Sequence, residues 1–262
     1  MMDNIDAEII EIGKNTIIHE SAVIRGVKGK AQRIIIGDNV YIGANVQIIC
    51  DDFRLGDYSK IHHGTNVHGY MPCQIGHNAW IGQYSIIDSI GGTTIGDNCG
   101  IGAHSQLWSH IKYGDTLEGS RFKSESPLRI GKDVWFVGHC IVSPITAHDK
   151  SMALVGSVVT RDMEPNRMYA GSPAKDITEK AGAPFQYIDI EQKYKRMMEL
   201  LNESGVSKDM IKIVTSRSEI QDDGRSYFCI ETREYTKTLN PEEIKFMNFL
   251  LPDKAKFTPI AK

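Results

Sequence analysis

The chain of 262 residues is 41% hydrophobic and 24% charged, with a formal net charge of −3. These values exclude a disordered polymer, and the near balance of charge leaves no electrostatic footprint for nucleic acid. Ile outnumbers Leu 34 to 10, and a β-branched excess of that size argues against a helical bundle and for buried strands.

No apolar run approaches the ~20 residues of a membrane helix, and the polar first eleven residues do not read as a signal peptide. A cytoplasmic protein without membrane insertion is expected. The five cysteines (Cys50, Cys73, Cys99, Cys140 and Cys229) are odd in number and contain no CxxC. They read as small buried residues rather than a disulfide or zinc framework.

From residue 10 onward the apolar positions recur every six residues and group into triplets. These are Ile12, Ile18, Ile24; Ile36, Ile42, Ile48; Leu55, Ile61, Val67; Ile75, Ile81, Ile87; Ile95, Ile101, Leu107; Ile130, Phe136, Val142; and, more weakly, Ala147, Ala153, Val159. Ile fills 13 of these 21 positions, so the repeat is a main source of the Ile excess. Gly follows Ile at Ile36-Gly37, Ile42-Gly43, Ile75-Gly76, Ile81-Gly82, Ile95-Gly96 and Ile101-Gly102, among others. Every departure from six falls between triplets. Three hexads therefore make one turn of a triangular prism, with all insertions leaving from one corner. The aliphatic residue points inward, and the following Gly serves a corner where φ > 0 or crowding penalises a side chain. The pattern predicts a mainly β protein: a parallel β-helix of about seven coils over residues 10–162, with an extruded loop at 108–129. A closing segment occupies 163–182, and within the prism Ala147-His148 in place of Ile-Gly and Val137 in place of Gly suggest locally distorted last coils.

After Pro173 the hexads stop. Residues 189–203 have helical spacing and end near Gly205, a suitable C-cap. Residues 211–215 and 226–238 read as strands with the turn at Asp222-Asp-Gly224, and a short helix follows near 241–251. Residues 183–262 thus form a small α+β appendage with 13 basic and 13 acidic residues.

Three ordered blocks carry a resemblance: Ser126-Pro-Leu-Arg-Ile-Gly-Lys-Asp-Val-Trp135, Gly156-Ser-Val-Val-Thr-Arg-Asp162 and Ala170-Gly-Ser-Pro-Ala-Lys175. Together with the hexads, they make the chain similar to the hexapeptide-repeat acyltransferases, over about residues 10–180. The motifs sit nearest the galactoside, maltose and sugar acetyltransferase branch. The resemblance implies a left-handed helix and a homotrimer with active sites between subunits. It also implies acetyl-CoA or another acyl-CoA as co-substrate, and a sugar or nucleotide-sugar acceptor modified on oxygen or nitrogen.

In that branch a loop at this place opens with the catalytic histidine, so His110 is the expected general base, taking the acceptor proton as a neutral imidazole. The family also places an acidic residue at Asp88 against a sugar hydroxyl; a turn-forming Asp is the alternative. Trp108 and Tyr113 are candidates for stacking on a sugar ring. The hexad offset makes His104 and His139 outward neighbours on adjacent coils, lining a subunit seam or ligand cleft. For the acyl-CoA, the family pattern points to Trp135, Gly138, Val155 and Ser157 along the pantetheine, with Gly138 among the candidate oxyanion donors. Thr160, Arg161 and Lys175 match positions near the nucleotide end. A basic residue that often follows in relatives is replaced by Thr178.

No resident metal is expected. The competing readings are a γ-carbonic-anhydrase-like metal protein, suggested by His63 and His68 five residues apart with His62 and His77 nearby, and a non-catalytic scaffold.

Overall fold

The structure, a computed structural model, describes residues 4–121 and 123–260. It contains two compact units, Met1–Phe185 and Gln186–Lys262.

The first unit is a left-handed parallel β-helix. Each coil contributes one short strand to each of three faces, in the order of the triplets. On the first face Ile12, Ile36, Leu55, Ile75, Ile95, Ile130 and Ala147 pair in succession. The second face stacks Ile42, Ile61, Ile81, Ile101, Phe136, Ala153 and Tyr169. Ile24, Ile48, Val67, Ile87, Leu107, Val142 and Val159 form the third. Nearly all of these side chains are buried and join one continuous core. Adjacent strands lie about 4.8 Å apart, so a branched side chain on one rung meets its counterpart on the next. Insertions leave between the third face and the first, the corner expected from the spacing.

Two features sharpen the sequence expectation. In the last coils the ladder continues in register through Phe136, Ala153 and Tyr169. Met163, bridged to Ala147, begins an eighth partial turn with Tyr169. Substituting Ala and Phe for Ile changes the filling of the interior but leaves the backbone ladder intact.

Of the two reasons expected for Gly at the Ile-Gly corners, crowding is the one the structure shows. A Cβ on Gly82 would lie 2.5 Å from the Ala103 nitrogen, so Gly is required there because the next coil's backbone passes too close. Positive φ falls instead on residues two places on, such as Asn78 (57°), Asn98 (66°), Tyr84 (54°) and His104 (59°). Asn tolerates this region better than most residues, and Asn78 Nδ2 donates to Asn98 Oδ1 at 2.9 Å, linking two corners.

All five cysteines are free and buried. Burial pushes the Cys50 thiol up to about 11 and raises Cys73 well above its ordinary value, so neither is poised as a nucleophile.

In the second unit the helix Ile190–Ser204 is capped by Asp189 and ends at Gly205 in the left-handed region, φ 62°. The strand Ile211–Val214 pairs in parallel with Ser226–Cys229, so Asp222–Gly224 belongs to a crossover and not to a hairpin. The single strand expected over 226–238 turns back on itself, pairing Phe228 with Tyr235, with Arg233 at φ 60°. Fully buried Glu243, on the helix Pro241–Leu250, accepts hydrogen bonds from Ser226, Thr238 and the Leu239 nitrogen. Among the described residues no helix is long and apolar enough to cross a membrane.

Replacing Gly82 by Ala is expected to cost about 3 kcal/mol of stability through overpacking against the next coil. Chemical denaturation of the variant checks this; an unchanged midpoint would contradict the crowding account.

Candidate active site

The longest interruption of the hexads leaves the prism after Gln106–Leu107 and returns at Leu128–Ile130. It is not wholly irregular: Ile111–Lys112 pairs antiparallel with Lys123–Ser124, and Lys112 is ion-paired with Glu125. At its root Trp108 still belongs to the ladder, its nitrogen donating to Val142 O at 2.9 Å.

The next two residues turn onto the coil below. Asp88, 3% exposed, follows Ile87 on the adjacent rung. Its Oδ2 accepts from the Ser109 nitrogen at 2.9 Å and from Ser109 Oγ at 2.5 Å, and lies 2.9 Å from His110 Nδ1. Ser109 Oγ in turn accepts from the Gly91 nitrogen at 2.9 Å, tying in the neighbouring corner. With the carboxylate ionised, Nδ1 carries the imidazole proton and Nε2 presents its lone pair, the arrangement a general base needs. Oδ1 of Asp88 takes no hydrogen bond among the described residues.

Beside this pair lies a cavity of about 390 Å³, lined by Asp88, Trp108 and His110 and, one coil lower, by Asn66 and His68. The Trp108 ring centroid is 6.1 Å from that of His110, at 65°. Asp88, Trp108 and His110 therefore come together in the structure, and Asp88 is hydrogen-bonded to His110, which orients its ring. The triplet register carried a signal for this, since Ile87 and Leu107 stack and place Asp88 beside Trp108. Asn66 and His68 were not singled out as acceptor-site residues, although the same register puts them on the rung below.

The remaining candidates lie elsewhere. Tyr113 is fully exposed out on the extruded arm. His104 and His139 stack with centroids 4.9 Å apart, and Tyr84 continues the column 5.4 Å from His104. That column runs along the corner between the second and third faces, at the opposite edge of the third face from His110. Within one chain it does not join the cavity. Gly138 (φ 148°) sits on the same corner, with Val155 well exposed above it. Ser157 is buried, its Oγ donating to Leu154 O at 2.6 Å while its backbone nitrogen donates to Leu154 O and its carbonyl accepts from the Ile141 nitrogen. Exposed Thr160, Arg161 and Lys175 gather at the end of the prism, where Gly171 O accepts from Val158 N and Ala174 N donates to Val158 O. Trp135, on the outside of the second face, packs its indole beside Gly100; a Cβ on that glycine would come within 2.9 Å of its Cδ1.

His63 packs edge-on to Tyr84 at 5.1 Å, while His68 lies at the far end of the third face. Among the described residues no group of three or more His, Cys, Asp or Glu side chains is placed to hold a metal ion.

No family model matches the chain. Galactoside O-acetyltransferase of Escherichia coli is 32% identical over 121 residues, which span 45% of this chain and 56% of that protein. UDP-3-O-acylglucosamine N-acyltransferase of Bordetella pertussis is 30% identical over 132 residues, 41% of this chain and 34% of that protein. These matches add to the hexads and the paired rungs. Over these stretches the chain is similar to hexapeptide-repeat acyltransferases. It spans little more than half the length of the first relative and about a third of the second. Among solved structures, an N-acyltransferase from Bacillus cereus in complex with dTDP and 3-hydroxybutyryl-CoA aligns with a TM-score of 0.40 and 19% identity, covering 74% of this chain and 89% of that one.

Ala at position 100 should lift the Trp135 indole off the second face. In a variant whose other two tryptophans are replaced by Phe, G100A should shift the emission maximum and increase iodide quenching. Identical spectra would show that Trp135 does not depend on the missing Cβ.

Proposed function

We propose that this chain transfers an acyl group, acetyl in the simplest case, from acyl-CoA to a hydroxyl or amine of a sugar or nucleotide sugar. The observation that carries this reading is the Asp88–His110 pair at the mouth of a cavity, with Ser109 bracing the same carboxylate oxygen. Nε2 of His110 takes the acceptor proton as the acceptor atom attacks the thioester carbonyl. The tetrahedral intermediate then expels the CoA thiolate, which takes the proton back from His110. Asp88 is a positioning residue: it fixes the tautomer and favours the imidazolium that forms in between. Holding acceptor and thioester in one groove supplies a further part of the rate.

The family resemblance supports three copies side by side, with the pantetheine running past Gly138, Val155 and Ser157 and the nucleotide near Thr160, Arg161 and Lys175. On this reading the acyl-CoA lies between two chains.

His110→Ala is expected to lower kcat about 100-fold or more, while acetyl-CoA binding, read by calorimetry, stays near wild type. Undiminished turnover would remove His110 from the mechanism. Asp88→Asn should reduce kcat about tenfold or more without changing the KM for acetyl-CoA, because the carboxamide no longer selects the productive tautomer.

A further inference from the structure

We propose that His68 sorts acceptors, hydrogen-bonding a hydroxyl of an uncharged sugar ring whose reacting group lies at His110. This rests on the reading of His110 as the base. His68 sits on the rung directly beneath Asp88, its register partner across the two strands. Asp88 is thereby flanked by two imidazoles on successive coils, both opening into the same cavity. The upper one, His110, has Nδ1 committed to Asp88 at 2.9 Å. Neither ring nitrogen of His68 makes a hydrogen bond among the described residues; its one ring contact is Tyr70, edge-on with centroids 6.1 Å apart.

Asn66, the other polar side chain on that rung, makes no side-chain hydrogen bond among the described residues either. A partly buried polar group with no partner in the protein satisfies itself with water or with a ligand. Here two such groups stand one strand spacing below Asp88 and two below the rung from which His110 leaves, lining the same space as the Trp108 ring.

The charge of the lining narrows what enters. Beside the apolar surface of Ile86, Ile90 and Trp108, the cavity carries two imidazoles, a carboxamide and one carboxylate already bonded to Ser109 and His110, and among the described residues no Lys or Arg lines it. A carboxylate or phosphate inside would meet Asp88 with no fixed cation to offset it. A neutral imidazole, which both donates and accepts, suits a hydroxyl. The part of the acceptor that enters is therefore an uncharged polyhydroxylated ring, and any charged portion stays outside.

The test uses the full chain with acetyl-CoA and matched pairs of methyl pyranosides: the galactoside and glucoside against the corresponding uronates, in which a carboxylate replaces the C6 hydroxymethyl group, so that the pairs are compared by binding. His68→Ala should raise the KM for a neutral glycoside roughly three- to tenfold, the loss expected for one hydrogen bond to an uncharged partner. It should leave kcat within about twofold, and the KM for acetyl-CoA and the Tm unchanged. His68→Gln, which keeps a donor and an acceptor, should recover part of the loss. Saturation-transfer NMR of the same glycosides on wild type and His68→Ala reads binding independently of turnover.

Equal affinity in the two proteins overturns the proposal, as does tighter binding of the uronates. Failure of every neutral glycoside to bind overturns it too. A fall in kcat together with Tm would make His68 a structural residue. If the glycosides bind as expected but His110→Ala turns over normally, the assignment of the base fails instead.

Discussion

The closeness of successive coils is the constraint on which the rest of this structure depends. With rungs about 4.8 Å apart, every inward side chain must fit against its counterpart one coil away, and every corner must let two backbones pass. Branched aliphatic residues meet the first demand because few rotamers are open to them. The Ile-Gly glycines meet the second: a Cβ at Gly37, Gly82 or Gly96 would come within 2.3–2.6 Å of atoms in the next coil. The turning itself falls to Asn and a few other residues at positive φ, which divides between two positions a task one glycine could have served.

That rigidity is what makes a site possible. Consecutive rungs hold outward side chains in columns with fixed spacing, so Asp88 and the residues after Leu107 meet without a flexible search. The insertion adds chemistry at the one corner where the ladder tolerates extra residues. Ser109 and His110 are the first residues to leave the prism, yet three hydrogen bonds to a single oxygen of Asp88 keep them on it. The imidazole thus has the precision of the scaffold and the exposure of a loop. The arm beyond it carries Tyr113 out into solvent, away from this corner.

The second unit follows different rules. Its core is built on Phe228, stacked with Tyr235 and met edge-on by Phe246 and Phe257. Its helices were visible from spacing and caps, whereas strand direction was not. The parallel pairing of Ile211–Val214 with Ser226–Cys229 depends on how the chain between them crosses over. A turn signal such as Asp222-Asp-Gly224 reports a change of direction without saying which strand comes next to which.

The sequence alone determined the prism, because the period of six is a local property: each hexad states its own inward residue and its own corner. It determined equally which residues share a rung, since triplets in register define columns, and so it put Asp88 within reach of Trp108. Only the tertiary structure decided what those neighbours do. The Ile-over-Leu excess carries no trace of Asp88 orienting His110, of two imidazoles sharing one cavity, or of His104 and His139 lying at the wrong corner to join them. Those relations depend on the path of the chain after Leu107 and on which face each corner residue turns toward. Both are set by hydrogen bonds between coils some 20 residues apart, beyond the reach of any hexad.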